Sequence, residues 1–456
     1  MKRITALLTA FSLMFLPGCG IYANYREVED LLVIQTMGLD WLPGGVHLSL
    51  CAAARGEAGN APVYLEGSGA SVTAAIDQAR SSSFEQELFF SNIDSILIGR
   101  DTAEKGIEDH LAYVCQSPVL RIDIPVYIIK NGAAADCVKL SGDGSSSITD
   151  ILHGLQESLD SRGESRIFTA AQIISSTLRH GSALICALEL SPSSQNATGG
   201  SRGSGAEGQS TDPAKSEGGD EKSEESPAPD SPSQTGEESA ASSPPAETGQ
   251  GSEDTQSPSP SPAPESSAAP SSSGESESYT AALAGFAVMV DNRLRAFIDT
   301  ELALGVGILT DKSGVTDLQV EDMNGDQVTL EINDGGCSLA PVWAPDGSLR
   351  YLQIAADVSA TVLEIDGSGE LNDDNYSDHL TGQLEEAVWQ KINAVLALSK
   401  ELGADFLGLG SRLELKEPVM YHSIGLPFST ILPELDIRVS VKGKLSHTND
   451  IKDTWT

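Results

Sequence analysis

The sequence predicts an α+β fold in several domains, with mixed or antiparallel sheets and packed helices, interrupted by a long disordered insert. Three observations predict it. Short strand-like runs alternate irregularly with helical patterns up to residue 190; residues 191–278 carry no large apolar side chain; and the last third returns to hairpins, a long helical period and a strictly alternating strand. Irregular order of this kind argues against a doubly wound parallel sheet.

The first eighteen residues read as a signal peptide. Lys2 and Arg3 precede the apolar run Ile4 to Phe15, which at 12 residues is too short to span a bilayer as a helix. Leu16-Pro17-Gly18-Cys19 then has the arrangement of a lipobox, with a small residue directly before the cysteine that would accept a diacylglyceryl group. Two acyl chains would supply the two hydrophobic signals that stable anchoring needs.

An N-terminal α+β domain is expected over 19–190. Leu31 to Ile34 reads as a buried strand, with Val46 to Leu50 as its hairpin partner across Pro43-Gly44-Gly45. Ser71 to Arg80 is helical, Ile93 to Ile98 a strand, and Thr102 to Val114 a helix with Ile107, Leu111 and Val114 on one side. In Ile124 to Ile129, Pro125 favours an edge strand or a strand start. Ala183 to Leu190 is another strand.

Ser191 to Ser278 is built from Ser, Gly, Pro, Ala, Glu and Asp with a net charge of −13. It cannot bury enough apolar surface to offset the entropy of ordering, so disorder is expected. Tyr279 to Val290 reads as a strand that could neighbour Ala183 to Leu190 in space, the insert lengthening what was a short loop at modest entropic cost. A spacer or binding tail and a neutral expansion both fit it.

The C-terminal region, 279–456, allows a further division into 279–365 and 366–456. Gly285 to Ile298 forms a hairpin about Asp291-Asn292, Asp346-Gly347 marks another turn, and Ser377 to Leu402 keeps helical spacing through Leu380, Leu384, Val388, Ile392, Val395 and Leu402. Leu435, Ile437, Val439 and Val441 alternate with polar residues as a half-buried strand.

Bulk composition limits function. With 66 acidic and 28 basic residues the net charge is −38, which disfavours nucleic acid and anionic lipid as direct electrostatic partners. The six cysteines show neither C-x-x-C pairs nor zinc-ligand spacing; isolated buried thiols or one structural disulfide remain open. No metalloprotease, nucleophile-elbow, phosphate-loop or dinucleotide motif is present, so no catalytic residue, metal or cofactor is assigned beyond the lipid on Cys19. Asp322 to Asp326 resembles an acidic calcium loop, but its glycine is at the fourth place and a turn is the better reading.

Four elements in order carry a family resemblance. After Cys19 come Arg26-Glu27-Val28-Glu29-Asp30 and Gly38-Leu39-Asp40; then Phe90 to Gly99 with Ala103, Gly106-Ile107 and Arg121; then Ala284 to Leu294; and last Gly403 to Gly410 after the long helix. Together they resemble the Ger(x)C lipoproteins, C subunits of bacterial spore germinant receptors. The tryptophan usual just after the cysteine is absent, and leucines replace two positions of the last element. The resemblance implies a non-catalytic lipoprotein at the outer face of the spore inner membrane, assembled with an A-type subunit and a multispanning B subunit to sense nutrients. Arg26, Glu27, Glu29 and Asp40 are then candidate structural or partner-contact residues. The competing readings are a solute-binding lipoprotein of a transporter, which needs two lobes around a cleft, and a cell-wall enzyme.

Overall fold

The strands of the N-terminal half begin with Leu31–Leu42 (β1), Gly45–Ala52 (β2), which follows β1 across a tight turn, and Val63–Gly69 (β3), and they open a computed structural model that describes residues 31–53, 62–83, 87–140, 147–163, 165–192, 279–367, 371 and 373–447. Helix α1 (Val72–Ser82) starts at Ser71, whose side chain accepts from the Ala74 N–H. Then follow β4 (Glu87–Phe89), β5 (Ser95–Ile98), α2 (Arg100–Lys105), α3 (Glu108–Gln116), β6 (Pro125–Ile129), α4 (Ala134–Val138), α5 (Ile148–Arg162), β7 (Phe168–Thr169), α6 (Ala170–His180) and β8 (Ser182–Pro192). The single helix expected over Thr102 to Val114 is two, because Gly106 has φ 133° and interrupts the helical path. Pro125 stands at the first position of β6, where its missing N–H costs least.

Beyond the insert come β9 (Tyr279–Val290) and β10 (Arg293–Ile298), a hairpin whose Asp291 and Asn292 both take positive φ, 50° and 60°, as a two-residue turn between twisted strands requires. Helix α7 (Ala303–Leu309) leads to β11 (Thr316–Glu321), the long hairpin β12 (Gln327–Trp343) and β13 (Leu349–Ile365), α8 (Asp374–Leu402), α9 (Leu409–Lys416), α10 (Pro418–Ser423), α11 (Phe428–Ile431) and β14 (Asp436–His447).

The larger sheet runs β10-β9-β8-β6-β5-β1-β2-β3, with β4 beside the start of β1 and β7 beside β6. Its centre, β1, β5, β6 and β8, is parallel, and its flanks are antiparallel. Both faces are covered: α1, α2, α3 and α6 pack on one, through Ile76, Ala103, Val114 and Ile173, and α4 and α5 on the other, through Val138 and Leu152. The fold is thus the expected α+β mixture, with a locally α/β centre that irregular strand spacing in the sequence concealed. The smaller sheet, β11-β12-β13-β14, has β14 parallel to β13 and is backed by α8, whose Leu380, Leu384, Val388 and Ile392 are fully buried. One core includes this layer together with Leu184, Phe286, Val288 and Ile298 of the larger sheet.

The sequence breaks at 190/279 and 365/366 fall inside sheets. Strands β8 and β9 are antiparallel neighbours in register from Ser182↔Val290 to Pro192↔Tyr279, so Ser191 and Pro192 belong to the ladder and the insert replaces a hairpin turn. The signal peptide, lipobox and Arg26, Glu27 and Glu29 lie outside the described residues, as does the expected disorder of 193–278. No helix among the described residues is long and apolar enough to cross a membrane.

Because β8 and β9 meet at Pro192 and Tyr279, replacing residues 193–278 by a four-residue turn should keep the fold. Loop-closure entropy then favours the shortened chain by roughly 2–3 kcal/mol at most. Urea unfolding should give an equal or higher midpoint; a clearly lower one would mean that the insert stabilises the body.

Candidate functional site

A crevice opens where the two faces of the larger sheet diverge. Strand β5 continues into α2 on one face, whereas β6 continues into α4 on the other, so the loops after these strands part at their carboxyl ends. Open sheets with a parallel centre hold ligands at such a point. The resulting cleft, of about 600 Å³, is lined by Asp40, Trp41, Arg100, Asp101, Asn131, Gly132 and Ala133.

Its floor is set by Asp40. The carboxylate at the end of β1 accepts from two successive N–H groups at the start of α4, Ala134 to Oδ1 at 2.8 Å and Ala135 to Oδ2 at 2.7 Å. Helix α4 has no capping side chain of its own, so Asp40 supplies one from a distant part of the chain. Burial raises the Asp40 pKa above the ordinary value, while these two N–H groups pull it back. The fit excludes a side chain at position 99, since a Cβ on Gly99 would fall 2.0 Å from Oδ1. Asp40 thus caps α4.

Around it, Arg100 Nε donates to Glu104 Oε1 at 2.8 Å and Nη1 to the Lys130 carbonyl at 3.2 Å, while the Lys105 ammonium lies 4.2 Å from the Trp41 ring centroid. Asn131 is bonded both ways to Leu190, donating to its carbonyl at 2.9 Å and accepting from its N–H at 2.8 Å. Cationic, amide and indole groups can hold a small polar solute here. None of Trp41, Arg100 or Asn131 was singled out by the sequence, because their neighbourhood is created by the sheet.

A second aspartate repeats the device in the last family element. Asp405 accepts from Leu409 N–H at 2.8 Å and Gly410 N–H at 2.7 Å at the start of α9, and a Cβ on Gly410 would lie 2.9 Å from its Oδ2. The side chain is 2% exposed, and burial pushes its pKa up to about 7 against the backbone N–H groups of Gly410, Leu409 and Gly408. His180 at the end of α6 places Nδ1 3.7 Å from Asp405 Oδ2, with Nε2 3.2 Å from Ser411 Oγ. Burial lowers the His180 pKa, Arg179 adds to the effect and Glu414 opposes it. The expected turn after the long helix is thus also the joint between α6 and α9. Asp405 stands three residues before the Gly408 N-cap rather than at it, so the usual N-cap signal in the sequence does not find it.

The Cys51, Cys137 and Cys186 thiols are buried and pushed up to about 11, 12 and 12, far from a reactive thiolate. The described cysteines are all free. Among the described residues no cluster of three His, Cys, Asp or Glu could hold a metal ion. Asp322 closes its own turn, its Oδ1 accepting from Asn324 and Asp326 N–H at 2.7 and 2.9 Å.

Two family models match the chain, one on either side of the insert. Residues 24–190 match the spore germination protein N-terminal domain, and residues 284–449 match the spore germination B3/GerAC-like C-terminal domain. A solved structure described as the crystal structure of the GerBC protein aligns over 90% of this chain and 96% of that one, at 12% identity and a TM-score of 0.48. No curated protein sequence matches.

Two stability measurements check the capping aspartates. Asp40→Ala strips two buried N–H groups of their acceptor and should cost about 2–4 kcal/mol in urea unfolding; a loss below 0.5 kcal/mol, within the range of ordinary surface changes, would show that α4 does not need the cap. Asp405 has a folded pKa above its unfolded value of about 3.9, so its favourable contribution is present at low pH and is lost as pH rises through about 7. Relative to Asp405→Asn, the parent chain should gain on the order of 1–3 kcal/mol between about pH 8 and about pH 5. A difference that stays constant over that window would contradict the raised pKa.

Proposed function

The chain belongs to the Ger(x)C family of spore germination proteins, and on that premise we propose that it is the non-catalytic, lipid-anchored C subunit of a nutrient germinant receptor. The observation that carries this reading is the pair of family matches, which take in both halves of the folded body in the family's order and leave out only the ends and the insert. In this reading Cys19 bears the diacylglyceryl group and holds the protein at the outer face of the spore inner membrane. Its partners are an A-type subunit and a multispanning B subunit.

The geometry supports a role through contact. Two of the family elements, Gly38-Leu39-Asp40 and Asp405 to Gly410, hold helices in place through their carboxylates. A subunit of this kind works by contact: nutrient binding in the complex shifts its population between resting and signalling states, and the C subunit stabilises one of them through differential contacts. The cleft at Asp40, Trp41 and Arg100 is the feature that favours a second reading, solute binding for a transporter, because it has the size and mixed lining of a small-molecule site.

Tagged protein purified from detergent-solubilised spore membranes should bring down a multispanning subunit and an A-type subunit, identified by mass spectrometry. Transporter permease and ATPase components instead, or none under mild detergent, would overturn the receptor reading. Cys19→Ala should move the protein from the membrane to the soluble fraction.

A further inference from the structure

Strand β14 forms one edge of the smaller sheet. Its 12 residues pair with β13 on one side and, among the described residues, with no strand on the other. The inward row of β13, Leu352, Ile354, Ala356, Val358 and Ala360, is buried. The inward row of β14, Ile437, Val439, Val441 and Leu445, packs on the same core but is only half-buried. The apolar layer is left open along this edge.

Helix α8 runs antiparallel to β14 and closes the edge at two points. Glu385 Oε1 accepts from the Gly443 N–H at 2.8 Å, and Lys400 Nζ donates to the Leu435 carbonyl at 2.9 Å. The N–H and C=O of one residue lie on the same side of a strand, and the sides alternate along it. Because the Gly443 N–H turns away from β13, those of Ile437, Val439 and Val441 do so too, and they lie between the two capped points. One turn beyond Glu385, on the same face of α8, Trp389 is 41% exposed. An open strand edge beside half-exposed aliphatic side chains and an indole is a surface that takes another extended strand.

The charges on the solvent face choose that strand. Asp436, Arg438, Lys442 and Lys444 share this face with Ser440 and Ser446. When β14 is laid antiparallel against β14 of a second copy, with a two-fold axis at Val439, Asp436 stands opposite Lys442 and Arg438 opposite Ser440. Lys444 then faces Glu434, just before the strand. Moving the axis by one residue sets Arg438 against Lys442 or against its own copy, and like charges directly opposite are destabilising. Val439 is also the middle of the stretch between Leu435 and Gly443 that α8 leaves uncapped. Charge pattern and caps thus select the same register.

We propose that two copies of the chain join edge to edge through β14, antiparallel about Val439, so that two four-stranded sheets become one continuous sheet with each Trp389 beside the seam. The contact is isologous, as a two-fold axis requires. It lies in the folded body and needs neither the lipid on Cys19 nor other subunits.

The purified full chain in mild detergent should be dimeric by light scattering at about 100 μM. Val439→Pro removes an N–H that β13 does not use, so it should give monomers while leaving the urea midpoint nearly unchanged. Lys442→Asp should weaken the dimer about tenfold or more, and Asp436→Lys in the same chain should restore it. If Val439→Pro fails to fold, this charge exchange carries the test. Mild oxidation in a Cys115→Ser background reads the register: Arg438→Cys and Ser440→Cys chains should cross-link when mixed and hardly at all when separate. A parent chain that stays monomeric would overturn the second copy as occupant and leave the edge to a strand of another protein. A dimer that survives both Val439→Pro and Lys442→Asp uses a different surface, and the proposal fails. Ser440→Cys cross-linking to itself moves the axis to residue 440 and refutes the register.

Discussion

Everything in the body depends on the antiparallel ladder between β8 and β9. It joins residues separated by the insert, completes the larger sheet, and presents Leu184, Phe286 and Val288 to the core shared with the smaller sheet. A long insertion is tolerable at this position for a simple reason. Closing a loop costs free energy only logarithmically in its length, whereas the ladder and the apolar surface it buries do not change with length. The two family modules therefore form one continuous structure although the insert lies between them in the sequence.

Within that frame, two carboxylates, one half-buried and one buried, do similar work at distant points. Asp40 and Asp405 each satisfy two successive N–H groups at the start of a short helix whose own cap residue offers no side chain. Short helices gain little from propagation, so their position depends on such external acceptors. The glycines at 99 and 410 follow from the same requirement, since a methyl group at either would displace the oxygen that does the capping.

Much of this was legible in the sequence. The hairpin at Pro43-Gly44-Gly45, the turn at Asp291-Asn292, the long helix and the alternating last strand all declare themselves through period and turn chemistry. The pairing of Ala183 to Leu190 with Tyr279 to Val290 was also readable, because two strand-like runs bracket a segment without large apolar side chains. The parallel centre was not, because three of its strands are separated by unequal mixtures of helix and strand that hide the repeat. Of the site, Asp40 was visible as a family position, but its role was not. Capping is a relation between Asp40 and a helix about ninety residues later, and no local pattern encodes it. Trp41, Arg100, Asn131 and His180 were illegible for the same reason.

The direction of β8 has one more consequence. The strand starts at the edge where the chain enters at Leu31 and ends at the opposite one, so the acidic insert departs roughly 35 Å away from the first edge. The Debye length at physiological ionic strength is about 8 Å. At the point where it leaves the body, the insert is thus separated from the entry edge by several screening lengths. Pro192 and Tyr279 pair across the ladder there, so the chain leaves and rejoins the body at that far edge.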